Sequence, residues 1–271
     1  MSHNNSDAKY IYDMHTHIFP DKIAEKAASS IGKFYDLHMD SYGTVRNLLN
    51  SGKVIGVKRY LVCSTATTAH QVVSINNFIA SEQHAHPEFI AYGSLHPDYD
   101  KIEEEVDRII SLGLKGIKLH PDFQNFDIDD PKAEAIYRAA EGRLPILFHM
   151  GDYRFDRTKP FRLLNVMKKF PKLTCIGAHL GGYSSWEEVI NLPGYLSNPQ
   201  LYIDTCSSLA FLSPEESVKI IKKHGVDRVF WGTDFPMWTH AAELDRFMAL
   251  KLTDDERDKI LWRNAAAFVG D

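Results

Sequence analysis

Two histidines end a short apolar run, Tyr10-Ile-Tyr-Asp-Met-His15-Thr-His17. Residues two apart in a β-strand leave on the same face, so both imidazoles project side by side from its C-terminal end. Two neutral imidazoles on one rigid edge form half of a metal site. Hydrogen-bonded histidines in a surface turn would show the same spacing, so the pair needs partners in equivalent places. His149 ends Leu144-Pro-Ile-Leu-Phe-His149, His179 ends Leu173-Thr-Cys-Ile-Gly-Ala-His179, and Asp234 ends Arg228-Val-Phe-Trp-Gly-Thr-Asp234. Imidazole and carboxylate donors without a thiolate favour zinc, then iron or manganese.

The elements that carry these residues alternate. Strands are expected at 10–17, 54–63, 89–97, 114–120, 144–149, 173–179, 201–205 and 228–234, with helical sequence between them. Ile102, Val106, Ile109 and Ile110 form one helical stripe. Ser213-Pro-Glu-Glu216 and Thr253-Asp-Asp-Glu256 are capping boxes that open two more helices. The strands are short and lack polar alternation, as in a parallel sheet buried on both faces. Eight βα units in one chain predict a single-domain α/β fold, a (β/α)8 TIM barrel over 10–271, preceded by a loose tail at 1–9. An open doubly wound sheet is less consistent, because no Gly-x-Gly-x-x-Gly turn follows the first strand. In such a barrel the strand C-termini converge on one mouth, where active sites lie. The stretch 19–43 is long for a βα connection, and we expect a lid there.

The 271 residues are 44% hydrophobic and 25% charged with a net charge of −5, enough for a large core and without a basic stripe for nucleic acid. No apolar run approaches the roughly 18 residues of a membrane span. The polar start lacks a signal-peptide core, and the three cysteines, Cys63, Cys175 and Cys206, give no disulfide framework. A cytoplasmic location is expected, with a small-molecule substrate as partner and a homodimer allowed.

Asp-Met-His-Thr-His, Gly-Ile-Lys-Leu-His-Pro, Phe-His-Met-Gly, Ala-His-Leu-Gly-Gly and Trp-Gly-Thr-Asp-Phe-Pro, in that order, resemble the amidohydrolase superfamily. The set is most similar to its amidohydrolase-related branch, which includes metal-dependent hydrolases and aminocarboxymuconate-semialdehyde decarboxylase-like enzymes. The C-terminal Lys259-Ile-Leu-Trp-Arg-Asn-Ala-Ala-Ala-Phe resembles that branch's last helix, so the likeness runs over residues 11–269. It implies His15, His17, His149 and Asp234 as ligands of one divalent ion, with His179 beside it as a catalytic group. The expected chemistry is hydrolysis of an amide, ester or lactone. Metal-bound water has a pKa near about 7, Asp234 serves as base then acid, and His179 steadies the oxyanion. The alternative on the same residues is non-oxidative decarboxylation, or hydration, of a small unsaturated or aromatic acid. A non-catalytic binding protein is the third reading, disfavoured by an intact ligand set.

Other residues follow from position. Strand parity puts Gly116, Lys118 and His120 on one face, turned to the barrel interior. In two-metal relatives a carboxylated lysine from this strand bridges the ions, whereas the reading preferred here is an unmodified Lys118 that pairs with a carboxylate or binds substrate. His96, His120, Arg154 and Trp238 are further substrate-binding candidates at loop starts, and His240 could join Trp238 in the wall. Asp13 shares parity with His15 and is expected to support a ligand histidine. Cys175 shares parity with His179 and is expected under the site. Glu103 to Glu105 should be a solvated face.

Overall fold

The computed structural model describes residues 10–39 and 41–271; the expected tail at 1–9 lies outside the described residues. Its strands are β1 (Tyr12–His17), β2 (Arg59–Cys63), β3 (Phe89–Ser94), β4 (Gly116–Leu119), β5 (Ile146–Phe148), β6 (Cys175–Gly177), β7 (Leu201–Asp204) and β8 (Val229–Phe230). All neighbours are parallel and follow one another in chain order. Backbone bonds join the two edges: Met14 N donates to Trp231 O at 3.0 Å and Asp234 N to His15 O at 2.9 Å. The sheet is thereby drawn into a (β/α)8 barrel.

Around it run α1 (Asp21–Tyr35), α2 (Val45–Lys53), α3 (Val72–Ala85), α4 (Ile102–Ser111), α5 (Pro121–Gln124) and α6 (Glu134–Ala140). They continue as α7 (Pro160–Lys169), α8 (Trp186–Asn191), α9 (Pro214–His224), α10 (His240–Met248), α11 (Asp254–Asp258) and α12 (Asn264–Val269). Both expected capping boxes form, at Ser213 and Thr253. Among the described residues no helix is long and apolar enough to cross a membrane.

Strand alternation builds two cores. Met14, Leu61, Ile90, Tyr92, Leu147, Ile176 and Phe230 fill the barrel interior. Val62, Ala91, Ile117, Leu119, Phe148 and Val229 face outward against Ile79, Ile109, Ile136, Leu163 and Ile220 from the helices. Burial of each large aliphatic side chain is worth about 1.5–3 kcal/mol. Gly116 is required by the inner core: a Cβ there would lie 2.4 Å from the Tyr92 ring.

Several boundaries differ from expectation. The second strand begins at Arg59, because α2 runs to Lys53 and the chain then turns through Gly56 at φ +76°. β8 keeps only two residues, since 231–235 break from β7 to bond β1. Glu105 is buried, not solvated: its carboxylate takes Asn76 Nδ2 at 2.6 Å and Arg108 Nη2 at 2.7 Å. Glu103 and Glu104 are exposed as expected. Cys175 packs in the outer core, not beneath the site.

Candidate functional site

β1 carries a bulge that matters for chemistry. Asp13 pairs with Tyr60 and Thr16 with Val62, so Met14 and His15 together oppose the single residue Leu61. The bulge turns both Met14 and His15 inward, and His17 follows. Asp13 ends on the other side, against α10, where its Oδ2 lies 3.0 Å from His240 Nε2. Asp13 therefore does not support the His15 ring, contrary to expectation. That support comes from Asp204, at the end of β7, whose Oδ2 accepts from His15 Nδ1 at 2.8 Å. The Asp204 Oδ1 also takes the His179 backbone N–H at 2.9 Å.

With Nδ1 protonated for Asp204, His15 Nε2 presents a lone pair to the barrel mouth. Burial, assisted by Lys118, lowers the His15 pKa to about 4, so the ring is neutral. His17 Nε2 lies 3.2 Å from Asp234 Oδ1, and His15 Nε2 lies 3.7 Å from it. Burial alone would lower His17, but Cys63 and Asp234 outweigh it and raise the ring to about 9. Burial works to raise Asp234, yet the bond from His17 and the neighbouring imidazoles hold it well below the usual carboxylate range. The donor atoms of His15, His17 and Asp234 lie within 4.8 Å of one another.

Lys118 is fully buried, as inward parity requires, and its Nζ lies 3.1 Å from His15 Nε2. Among the described residues no carboxylate oxygen comes within ion-pair distance of Nζ, so the expected carboxylate partner is replaced by His15. An ion on His15 Nε2 would have to displace this hydrogen bond.

The remaining histidines form a directed chain. His120 Nδ1 accepts from Phe123 N at 3.4 Å, which leaves its Nε2–H for the Tyr35 hydroxyl at 3.0 Å. Tyr35 then donates to His149 Nε2 at 3.3 Å, and His149 Nδ1 donates to His179 Nε2 at 2.9 Å. His179 Nδ1 ends the chain on the Cys206 carbonyl at 3.2 Å. The two ends fix every proton, because an amide can only donate and a carbonyl can only accept. Burial lowers the pKa of all three rings, in keeping with neutral tautomers. His120, Asp122 and His149 form a second donor cluster, and His179, Cys206 and Asp234 a third. The expected ligand His149 thus borders the same cavity as the first trio but stands beside His120 and Tyr35.

His179 and Asp234 both leave their strands through the left-handed region, at φ 62° and φ 59°. Such backbone costs about 1–3 kcal/mol at a non-glycine residue and persists only where contacts enforce it. Here Asp204 holds the His179 amide, while His15 O and the Ser207 hydroxyl, at 2.6 Å from Oδ2, hold Asp234. This break in strand geometry also explains why Cys175 does not share a face with His179.

A cavity of about 600 Å³ opens above these groups, and His15, His17, His120, His149 and Asp234 form its floor. α1 and α3 form its walls. Four expected substrate contacts do not border it: Lys118 lies beneath it behind His15, and three stand aside. His96 accepts from Asp98 N at 3.1 Å and caps its own loop. Arg154 grips Asp152 with Nε at 2.9 Å and Nη2 at 2.6 Å, stacks 4.4 Å over Phe34 and bonds Phe34 O, tying down the end of α1. Trp238 donates to Ser207 Oγ at 3.0 Å, one link behind Asp234. His240 is sealed beside Asp13 and is no wall residue. Sequence reading missed Tyr35, Asp204 and Ser207. Asp204 had a legible signal, an acidic residue at the end of an otherwise apolar strand; Tyr35 had none beyond its place in an aromatic-rich connection.

Catalytic residues in this barrel type lie at the C-terminal mouth, where the histidines and carboxylates gather here. A family model described as Amidohydrolase matches residues 12–270, and the chain belongs to the amidohydrolase family; it is an enzyme. Solved structures share the fold. 5-Carboxyvanillate decarboxylase from Sphingomonas paucimobilis is 16% identical, with a TM-score of 0.74 over 97% of this chain and 99% of that one. 2,6-Dihydroxybenzoate decarboxylase from Rhizobium is 19% identical, with a TM-score of 0.68 over 97% and 98%. 5-Carboxyvanillate decarboxylase from Novosphingobium aromaticivorans, complexed with manganese and 4-hydroxy-3-methoxy-5-nitrobenzoic acid, is 15% identical with a TM-score of 0.73 over 97% of both chains.

Proposed function

We propose that the chain is a divalent-metal-dependent decarboxylase of a small aromatic carboxylic acid. The observation that carries this reading is a His15–His17–Asp234 trio opening on a cavity lined by aromatic rings. His120 is stacked between His149 at 3.9 Å and Phe123 at 3.8 Å, and this column, with Phe34, Tyr35 and Phe78, gives the cavity an aromatic lining that suits a planar ring. The aromatic acids handled by the neighbouring structures agree with that shape.

The donor set fits a divalent ion. His15 is neutral with its Nε2 near Asp234 and bonded to Lys118, which an ion would displace, and a carboxylate fixes its other nitrogen, the usual support of a ligand histidine. His15, His17 and Asp234 would hold the ion, with His149 as the further donor. Manganese, present in one neighbour, stands beside zinc as the candidate for these nitrogen and oxygen donors. When bound, the ion supplies Lewis-acid stabilisation of the anionic substrate.

Decarboxylation needs no oxidant. The ring carbon bearing the carboxylate accepts a proton, the carbon–carbon bond breaks, its electron pair restores the ring, and carbon dioxide leaves. Asp234, which borders the cavity, is the group placed to carry that proton, and His179, one hydrogen bond behind His149, is positioned to relay it. The segment 19–43 is assigned as a lid: its α1 roofs the cavity and sets Tyr35 between His120 and His149. A second reading, hydrolysis of an amide, ester or lactone, is favoured by the description of the family model and would use the same trio to activate water.

Purified protein loaded with manganese or zinc should be screened against hydroxybenzoic acids with carbon dioxide followed, and against lactones and anilides with proton release followed. Carbon dioxide from at least one acid, abolished by chelation, is the expected result. Proton release from the neutral substrates without any carbon dioxide would establish hydrolysis instead.

A further inference from the structure

The cavity is much larger than its polar floor. On α1, Ile23, Ala27, Ile31 and Phe34 line it; on α3, Ile75 and Phe78 do so. These positions follow helical spacing, so each helix presents one stripe to the same space. Ile23 to Phe34 spans eleven residues, about 16 Å of helix. None of the six is fully buried, and Ile23 is 51% exposed. Apolar side chains facing one another across unfilled space are a cost unless something covers them.

Charge is missing from this arm. Among the described residues no lysine, arginine or glutamate lines the cavity, and Asp234 on the floor is the one carboxylate that does. The one candidate guanidinium, Arg154, is spent on Asp152 and the end of α1. Gln71, at the start of α3, is likewise engaged, its Oε1 accepting from Thr67 N at 2.9 Å and Thr68 N at 3.2 Å. A second carboxylate or phosphate on the substrate would meet only hydroxyls such as those of Ser30, Thr67 and Ser74 in this arm, and no cation to offset its partial desolvation.

We propose that the substrate places one polar head group, a carboxylate or a carbonyl, at the polar floor and an uncharged, extended alkyl or aryl substituent in the arm between α1 and α3. The inference rests on the site being the one assigned above. It is independent of whether the head group is decarboxylated or hydrolysed.

The test is calorimetric titration of the metal-loaded full chain with 4-n-alkylbenzoates, methyl to pentyl. A matching series of 4-n-alkylacetanilides serves as uncharged amides. Affinity should rise about fourfold per added methylene, the transfer value of one buried CH2. Ala27→Phe, which narrows the arm, should end the rise at a shorter chain, and Ile75→Asp should flatten it. A wild-type series without dependence on chain length overturns the proposal, as does absence of saturable binding by the longer members of both series. A dependence left unchanged by both substitutions also overturns it, since the substituent then lies elsewhere. If only the acetanilides bind and their affinity climbs with length, the arm stands and the decarboxylase reading fails.

Discussion

Two buried clusters of the same residue types flank β1. On the inner side stand His15, His17 and Asp234; on the outer side stand Asp13, His240, Ser51 and Glu243. The outer set has the look of a hydrolytic triad on paper, with Ser51 Oγ 2.8 Å from His240 Nδ1 and Asp13 Oδ2 3.0 Å from His240 Nε2. Yet Asp13 and His240 are fully buried and border no part of the cavity, so no substrate can reach Ser51 through them. Asp13 is occupied: it takes Thr233 N at 3.1 Å, the Thr233 hydroxyl, and His15 N at 3.1 Å. The inner set keeps an ionised carboxylate, an opening and a His15 lone pair held only by the displaceable Lys118. Residue type and spacing are thus common to both clusters; spare valence and access belong to one.

The largest effect expected from breaking this contrast is at Asp234. Asp234→Asn removes both a donor to the ion and a proton carrier, and turnover should fall by roughly 1000-fold or more. The loss is read from steady-state rates at matched metal content. Turnover within tenfold of wild type would place the chemistry elsewhere.

The outer cluster should answer in stability. His240→Ala empties a fully buried site and strands Asp13, at a cost of roughly 3 kcal/mol measured by urea unfolding. Glu243 adds a pH signature. Its side chain is buried, only Arg246 pairs with it, and burial raises its pKa to about 7. The folded state therefore holds this proton more tightly than the unfolded chain does. The stabilisation is full below about pH 4.5 and is lost as pH rises through about 7, at most about 3 kcal/mol in all. Glu243→Gln should flatten the stability between pH 5 and pH 8; an unchanged slope would mean that Glu243 is ionised throughout.

The smallest effect concerns Tyr35. Its hydroxyl donates to His149 Nε2, the lone pair an ion would need. Tyr35→Phe removes that competitor, and metal affinity should rise by about 2–10-fold, the worth of one hydrogen bond, in a chelator-competition titration. Weaker binding would show instead that Tyr35 helps to seat the ion.

The barrel was legible because each strand is a short apolar run ending in a polar or turn residue, a pattern that survives errors of a few residues at either end. Parity worked where the strand is regular: Lys118 faces inward while Ile117 and Leu119 face the helices. It failed where backbone geometry intervenes. The bulge at Met14 and His15 sends Asp13 outward, and the left-handed turn at His179 separates it from Cys175. The bulge has no glycine or proline to announce it, and the glycines around His179, Gly177, Gly181 and Gly182, do not say which residue turns. Arg154 and Tyr35 depend on how α1 returns over the mouth, a long-range contact that local sequence does not encode. Glu105 was read as part of a charge run, but its partners Asn76 and Arg108 come from two helices that meet only in the fold.

We propose that the inner cluster is a metal site and the outer one is not. Elemental analysis of metal-loaded, desalted protein tests it directly on wild type, His17→Ala and His240→Ala prepared side by side. The account predicts about one divalent ion per chain in wild type and in folded His240→Ala, and essentially none in His17→Ala. A wild-type protein that retains no ion, or a His17→Ala variant that retains as much as wild type, would contradict it.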